Sequence, residues 1–475
     1  MIGKHQFELS AENMARLGMS SSAEATDGGF SPETDGVNLI AVPGAVYAPA
    51  LPTDKSTNLV GQIIASCEDP AGSAQRLFVS QDAELDGRFF SCDNSGTLTA
   101  RGSEDTTAST DYIQGRTDII PYKGEVYVTN SLYIVQWQQP ATFNLTFKQF
   151  NDSSAPHPAL VYEDNAYFAD GNEMWRMTSA GGAPAIVLTL PSSQVITALG
   201  IDPGSGRMLI ATVDQYNVGG TIPSQARVGF YDGFSNKLSR TVIVEEMITA
   251  FPSAEGVQYA AYGQNLGYWN GSGVSFLRRF ADIAYDQSEL LYKHHFTAIG
   301  STLYFIVDRQ IIAHGHVIGA KVFYPAFKNL VNSNNLTHIC NIGSGLLGMS
   351  FSAAKFYTWS TTSVASTNTM ALVWNILRAQ RPIQLRGVFI EWNDLVTTGT
   401  TPVNLTCQNR SVIGSAETYA SMGTFTNSSG SSIKETYNEI IGMANPKGRT
   451  FKIRSTTDIN NFGIVRIIVY YDVAE

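Results

Sequence analysis

The sequence predicts an all-β protein in three parts. We expect a short N-terminal arm (1–35), a six- or seven-bladed β-propeller (36–378) and a C-terminal antiparallel β-sandwich (379–475). Short runs of Val, Ile, Tyr, Phe and Thr alternate with clusters of Gly, Asn, Asp, Ser and Pro, as in strands joined by turns. A strand–turn–strand unit recurs at roughly the spacing of propeller blades. After Arg381 the strands lengthen and alternate more strictly between apolar and polar residues.

The arm differs from the rest of the chain. Ser10 can cap a short helix over Ala11–Leu17, which Gly18 would end. The next eleven or so residues show no periodicity, so we expect an extended segment there. Such a segment is either a frayed terminus or an arm that reaches a neighbour in an assembly.

From about residue 36 the pattern is β almost throughout. Helical periodicity is weak and is confined to Glu245–Phe251 and Asp282–Tyr292. The strands that the sequence indicates include Val37–Val42, Gln62–Ser66, Arg76–Val79, Arg88–Ser91, Glu125–Val128, Leu132–Trp137 and Ala185–Leu190.

A repeat favours the propeller. Its clearest copies are Tyr122–Ile134, Tyr162–Trp175 and Gly300–Ile311, with looser copies centred on Phe78, Leu209, Tyr268 and Phe356. One strand pair cannot bury its apolar face alone, whereas four-stranded blades around an axis bury these faces against one another. Two β-sandwiches are the alternative, because their strands also recur at short intervals.

The tail predicts a separate antiparallel β-sandwich of about 95 residues. Within its strands, the charged residues Arg386, Glu391, Lys452 and Arg466 would lie on exposed faces or edges, where they discourage edge pairing. A Ser/Gly/Thr-rich loop is expected at Thr424–Ser432. The strands themselves are Pro382–Trp392, Pro402–Cys407, Arg449–Arg454 and Gly463–Val473.

Composition excludes several classes of protein. The chain has 475 residues, 15% charged and 43% hydrophobic, with a net charge of −10. This content is too apolar for a disordered chain and too acidic for a sequence-specific nucleic-acid binder. Its surface must be largely uncharged and polar, which suits a protein that lives in an assembly; a secreted or simply Gly-rich monomer is the alternative. We expect no membrane-spanning helix and, from Met1–Glu8, no signal peptide, hence synthesis in the cytoplasm without export by the standard route.

Catalytic motifs are not found in the sequence. The run Ser91–Leu98 departs from the sialidase Asp box in its glycine position and lacks the tryptophan, so we interpret it as a hairpin turn. No GxSxG, P-loop or HExxH motif occurs. Cys67, Cys92, Cys340 and Cys407 are widely spaced and predict buried free thiols.

Two histidine pairs and several acidic residues are candidate sites. His314 and His316 share one face of a strand, and His294 and His295 are adjacent, so a metal site is conceivable but lacks an obvious further ligand. Glu163–Asp164, Glu245–Glu246 and Asp282 are the acidic candidates for acid–base catalysis, against a simple role as solvated loop charge. We therefore predict no enzyme, no catalytic or metal-binding residues and no cofactor, and assign no binding residues.

Asn38-Leu39 and Pro43-Gly44, followed by the blade strands and the C-terminal sandwich, resemble the tail nozzle, or packaged-DNA-stabilisation, proteins of short-tailed bacteriophages. The arm before Asn38 is longer and more polar than that family's pattern. The resemblance implies a virion tail protein, a hexamer that contacts the head-to-tail adaptor and other tail proteins. Its ring would extend the DNA channel and help to retain and then release the genome, touching DNA without sequence specificity.

Two other functions fit the same architecture. A receptor-binding propeller at the tail tip or spike would use long loops such as Ser360–Met370 for recognition. A polysaccharide-degrading propeller enzyme would need a cluster of carboxylates in the central pocket.

Overall fold

A computed structural model describes most of the first two thirds of the chain and the strands of the remainder. The described residues are 5–10, 30–32, 40–42, 45–47, 52–104, 111–138, 140–214, 225–280, 291–307, 309–317, 320–328, 335–361, 369–394, 401–409, 419–427, 435–439, 447–458 and 462–473. The predicted helix Ala11–Leu17, the predicted helical run up to 290 and the Asn38–Leu39 and Pro43–Gly44 motifs lie outside them.

Seven antiparallel sheets form a seven-bladed β-propeller, which decides between the six and seven blades expected. The innermost strands of successive sheets contact one another, and those of the last and first sheets do so as well; between the fifth and sixth sheets the contact recorded is that of Ser253–Ala254 with Thr302–Val307. The outermost strands are the most exposed, as in Thr142–Gln149, where burial alternates along the strand. This arrangement of sheets excludes the alternative prediction of two β-sandwiches for the same residues.

We number the sheets as blades one to seven, each from its inner to its outer strand. Blade one is Gln62–Glu68, Arg76–Gln81, Gly87–Cys92 and Leu98–Ser103; blade two is Ile119–Tyr122, Glu125–Thr129, Tyr133–Gln138 and Thr142–Gln149; blade three is Ala159–Tyr162, Asn165–Asp170, Glu173–Met177 and Ala185–Thr189. Blade four is Gln194–Ile201, Met208–Asp214, Ala226–Tyr231 and Arg240–Val244; blade five is Ile248–Ala250, Val257–Tyr262, Asn265–Trp269 and Val274–Arg279, with Ser253–Ala254 paired to its second strand. Blade six is Phe296–Ile299, Thr302–Val307, Gln310–Val317 and Ala320–Lys328; blade seven is Leu336–Gly343, Leu346–Phe351, Lys355–Ser360 and Thr53–Asp54.

A strand from the N-terminal end of the propeller sequence completes the last blade and so closes the ring. Thr53–Asp54 forms the outer strand of blade seven, opposite Thr358 and Tyr357. The Lys55 amide donates to the Phe356 carbonyl at 2.8 Å, and the Phe356 amide donates to Ser56 Oγ at 3.0 Å. First and last blades are thereby tied together by hydrogen bonds.

Each of the seven repeat centres found in the sequence falls in a different blade. Five lie on second strands, and Tyr268 and Phe356 lie on third strands. All except Tyr268 are buried. Five of them belong to apolar clusters shared by neighbouring sheets: Phe78, Tyr127, Tyr167, Leu209 and Phe356. Tyr127, for example, packs with Phe168 of the next blade, with ring centroids 6.2 Å apart. In five of the seven copies the central residue of the repeat therefore packs between adjacent blades.

The expected helix at Glu245–Phe251 was wrong. Ile248–Ala250 is a short strand in which Ile248 and Ala250 are buried and the residue between them is less so. It pairs with Val257–Tyr262 as the inner strand of blade five. Alternation over three residues is too short to distinguish from a helical turn in sequence. Across the described residues, the helical structure is one 3-10 turn, Lys293–His295.

Contacts divide the chain into two units. One comprises Thr53–Asp308 and Asn334–Trp359, and the other comprises Met1–Pro52, Arg309–Ser333 and Ser360–Glu475. No helix among the described residues is long and apolar enough to cross a membrane.

The second unit contains a sheet of ten strands built around Thr369–Asp394, which has neighbours on both sides. Arg386 Nε lies 2.7 Å from Asp472 Oδ2, and Glu391 pairs with Arg466, so these charges make cross-strand ion pairs rather than mark an edge. Thr424–Asn427 belongs to a strand instead of the expected loop. The predicted sandwich, arm and domain boundaries remain predictions. The ten strands are His5–Ser10, Phe30–Pro32, Ile40–Val42, Ala45–Tyr47, Thr369–Asp394, Thr401–Asn409, Tyr419–Asn427, Glu435–Glu439, Lys447–Asp458 and Phe462–Val473.

Gly61, just before blade one, offers a test of the packing. Its φ is +75°, and a Cβ there would lie 2.1 Å from the Gln81 carbonyl oxygen. Gly72 has a similar φ of +67° with nothing within 4 Å. Both alanine variants carry the strain of a left-handed backbone, but we expect Gly61→Ala to cost about 1–3 kcal/mol more than Gly72→Ala, the usual cost of overpacking. Urea unfolding of both variants measures the difference, and equal losses would contradict the close approach.

Candidate functional site

The candidate site lies at the propeller axis, where the inner strands of several blades begin. Asp118 directly precedes the inner strand of blade two, and its side chain is 5% exposed. The 3-10 turn Lys293–His295 directly precedes the inner strand of blade six. Because blades two and six are not neighbours in the ring, any contact between these segments must cross the axis.

Lys293 makes that contact. Its Nζ donates to Asp118 Oδ1 at 2.9 Å and Oδ2 at 2.7 Å, and to the Ala159 carbonyl at 3.0 Å. His294 Nε2 lies 2.9 Å from Asp118 Oδ1. We call Asp118, Lys293 and His294 the axial cluster.

The Asp118 carboxylate is fully engaged. Besides the axial cluster, it accepts hydrogen bonds from the main-chain amides of Ile119 at 2.8 Å and Ala159 at 2.9 Å. Burial alone would raise the pKa of Asp118, but the Lys293 ammonium and the hydrogen bond from His294 outweigh it and hold the pKa well below its usual range. Asp118 is therefore ionised, and Lys293 balances its charge.

The histidines around the axis are held neutral. Burial lowers the pKa of His294, against the opposing effect of its hydrogen bond to Asp118. Burial and the neighbouring His294 lower the pKa of His295 to about 3, and burial lowers the pKa of His338. With His294 neutral, the proton in its bond to the carboxylate must sit on Nε2. His295 Nε2 contacts the Gln114 side-chain amide at 2.5 Å.

A cavity of about 250 Å³ opens beside the axial cluster. Its polar wall holds Arg76, Ser66 and His338, with Arg76 Nη2 3.2 Å and His338 Nε2 2.9 Å from Ser66 Oγ. The remaining lining residues come from blades two, five, six and seven or from the segments next to their strands: Ile119, Phe251, Pro252, Ser253, Lys293, His294, Phe296, Thr297, Leu303 and Ile339. We call it the Arg76 cavity.

Of the two cations in this region, Lys293 is paired with a buried carboxylate and Arg76 is not. Lys293 uses its three N–H groups on Asp118 and Ala159, whereas the Arg76 guanidinium lies 3.8 Å from Glu68, whose side chain is almost fully exposed. Ser66 and a neutral His338 can donate or accept hydrogen bonds. The arrangement can hold an anion and hydroxyl groups. Among the described residues, no group of three or more His, Cys, Asp or Glu side chains gathers at metal-binding distance.

The two predicted histidine pairs behave differently. His294 and His295 diverge, one toward Asp118 and the other toward Gln114. In blade six, His314 is buried and stacks on Phe323 with ring centroids 4.1 Å apart, while His316 is exposed. Burial lowers the pKa of His314 to about 4.

The acidic candidates are not brought together. Glu163–Asp164 lies on the turn after the inner strand of blade three, where Asp164 Oδ2 is 2.9 Å from Lys123 Nζ. Glu245–Glu246 lies on the connection between blades four and five. Asp282 is outside the described residues.

The Asp-box-like run is a hairpin turn. Asp93 joins the third and fourth strands of blade one, and its Oδ1 accepts from the amides of Ser95 at 2.8 Å and Thr97 at 2.9 Å. Cys67, Cys92 and Cys340 are buried free thiols, as predicted, and burial raises the pKa of each. The side chain of Cys407 lies outside the description.

Sequence reasoning missed Asp118, Lys293, Arg76 and His338. The available signal was positional, because Asp118 directly precedes the apolar residues of an inner strand, where polar side chains face the axis. Spacing could not reveal the pairing, since Lys293 and Asp118 are 175 residues apart.

No protein-family model and no curated protein matches the chain. Solved structures with similar folds include "YCF48 bound to D1 peptide" (10% identity, 68% of this chain and 99% of that chain, TM-score 0.46). Others are "Crystal structure of WD40 beta propeller domain of Doa1" (8%, 64% and 94%, 0.44) and "Crystal Structure of Mitotic Checkpoint Complex" (11%, 73% and 100%, 0.43). At these identities the similarities concern the propeller fold alone.

Proposed function

We propose that this protein is a structural subunit of a short phage tail that assembles into a ring, the nozzle, and extends the DNA channel. The sequence resemblance suggests a hexamer that contacts the head-to-tail adaptor. The observation that carries the proposal is an apolar surface on the propeller, because a ring subunit must bury part of its side against a second copy.

This surface lies on the outer strands of three successive blades. Ile186 of blade three, Ile243 of blade four and Phe276 of blade five are 54%, 65% and 61% exposed. Each is on the strand face that looks toward the preceding blade, so the three positions are equivalent. The corresponding strands of blades one and two instead expose Thr99, Thr146 and other polar or small residues.

An apolar strip on one side of a propeller supports association with another copy of the chain. The low charge of the sequence supports it as well, since few charges oppose contact. The excess of acidic residues suits a conduit that repels phosphate and lets DNA slide.

The direct test is mass photometry and electron microscopy of the purified protein, alone and with the neighbouring virion proteins. We expect a closed ring, sixfold under the neck. A stable monomer under all of these conditions, or a trimer at the distal end of the tail, would contradict the proposal. A neutral or basic lumen in the ring would remove the sliding role of the acidic charge.

Charges placed on the strip should prevent assembly. We expect Ile243→Asp with Phe276→Asp to shift the ring to monomers at equal concentration, because two carboxylates would have to be desolvated in the contact. Thr99→Asp with Thr146→Asp is the matched control on blades one and two and should leave the ring intact. Sedimentation velocity measures both, and rings in the first variant would argue against this contact surface.

A receptor-binding propeller is the second candidate, and the Arg76 cavity favours it. Binding of purified protein to host cells, and loss of that binding on removal of surface glycans, would support this role over the nozzle.

A further inference from the structure

We propose that the Arg76 cavity binds a small organic anion, with the guanidinium of Arg76 holding its carboxylate or phosphate. This site does not depend on the nozzle role or on assembly, because every residue that forms it belongs to one propeller.

The charge argument rests on Arg76. Its side chain is 16% exposed, and its Nε is buried with no hydrogen-bond partner among the described residues. Nη2 donates to Ser66 Oγ at 3.2 Å, which is a neutral partner. The ion pair with Glu68 is long, at 3.8 Å, and the Glu68 side chain is exposed, so it offsets only part of the cost of burying the guanidinium. Arginine recognises carboxylate and phosphate through paired N–H donors. An oxyanion in the cavity would supply an acceptor for the Nη groups of this guanidinium.

The neighbouring cation does not compete for that anion. The Nζ of Lys293 already donates to both oxygens of Asp118 and to Ala159. The Asp118 carboxylate is balanced by this contact and is not part of the cavity lining. Arg76 is therefore the cation that remains available in this cavity, because its ion pair with the exposed Glu68 is long, at 3.8 Å.

Shape and polarity define the rest of the ligand. At about 250 Å³, the cavity lies below the range of about 300–1,000 Å³ typical of drug-sized ligands, so a body of about one ring fits. Phe251, Phe296 and Leu303 offer apolar contact to that ring. Ser66 and neutral His338 can bond to its hydroxyls. An acidic or phosphorylated monosaccharide combines these features.

Isothermal titration calorimetry with the full chain tests the site. Glucuronate and glucose 6-phosphate are the probes, and their comparison separates carboxylate from phosphate. Glucose is the uncharged control. We expect at least one anion to bind, at least ten-fold more tightly than glucose. Arg76→Gln should weaken that binding ten-fold or more, and Arg76→Lys should weaken it less.

Two further variants make the result specific. Arg279→Gln makes the same charge change at an exposed position on blade five and should bind as the wild type does. Ser253→Trp adds bulk at an exposed residue of the cavity lining and should block binding without altering any charge. The second variant serves if Arg76→Gln does not fold. Failure of both anions to bind, or undiminished binding to Ser253→Trp, would overturn the proposal.

Discussion

Replacing Lys293 by methionine should destabilise the propeller by about 3 kcal/mol. Removing one partner of a buried ion pair leaves the other charge uncompensated, at a cost of about 3–5 kcal/mol. The lower end applies because the Lys293 side chain is 42% exposed, which lets water reach part of the pair. Urea unfolding followed by tryptophan fluorescence measures the loss, since Trp137, Trp175 and Trp359 are buried in the propeller.

The same experiment distinguishes charge from packing. Lys293→Met with Asp118→Asn removes both charges, and we expect it to recover much of the lost stability, because a neutral amide costs less to bury than an unpaired carboxylate. Lys355→Met breaks the exposed pair with Asp54 and is the control, with an expected loss below about 1 kcal/mol. Equal losses for Lys293→Met and Lys355→Met would refute the importance of the axial pair.

The pKa of His294 should also change when Lys293 is replaced. The Lys293 ammonium lowers the pKa of His294, whereas Asp118 raises it. In Lys293→Met we therefore expect the pKa of His294 to rise relative to the wild type. Histidine ring signals in NMR spectra recorded against pH would show this shift.

Acidification should unfold the propeller well above the range in which carboxylates titrate. His294, His295 and His338 have lower pKa values in the folded state than the ordinary 6.5, and that of His295 falls to about 3. The unfolded chain thus binds more protons below pH 6.5, so stability is complete above that value and falls as the pH drops. Each histidine contributes a slope of about 1.4 kcal/mol per pH unit while it stays neutral in the folded state.

Asp118 adds to the loss at lower pH. Its folded-state pKa is depressed, so its contribution is present above the ordinary aspartate pKa of about 4 and is lost below it.

Urea midpoints at pH 7.5, 6.5, 5.5 and 4.5 measure the pH dependence of stability that the histidines cause. We expect a plateau above 6.5 and a steep fall beneath it, shallower in His295→Gln. A constant midpoint from pH 7.5 to 4.5 would contradict the burial of neutral histidines.

The blades could be predicted from sequence because their signal is local. A strand such as Glu125–Thr129 has buried Val126 and Val128 and an aromatic Tyr127 that contacts the next blade, so the repeat unit carries its own pattern. Thr53–Asp54 has no such pattern, since it is a two-residue strand whose place is set by a partner about 300 residues later. The weak helix at Glu245–Phe251 failed for a related reason, because three residues are too few to define a period.

The site was harder to predict from the sequence than the fold was. His294 and His295 attracted interest as an adjacent pair, yet their functions separate as soon as Asp118 and Gln114 are placed around them. Arg76 is indistinguishable in sequence from any arginine that begins a strand. Its importance follows from the blades that surround it, which only the three-dimensional arrangement shows.

The closure by Thr53–Asp54 has a consequence for synthesis on the ribosome. The seventh sheet needs both this early segment and Lys355–Ser360, so it cannot be completed until about 300 further residues have been translated. Until then, the first sheet lacks its neighbour on one side, and the apolar face that packs against the seventh sheet is exposed. Contacts between such distant segments slow folding and prolong the period in which aggregation competes with it. Expression yield should therefore depend strongly on how fast the ribosome translates the stretch between these two segments, and on the supply of chaperones.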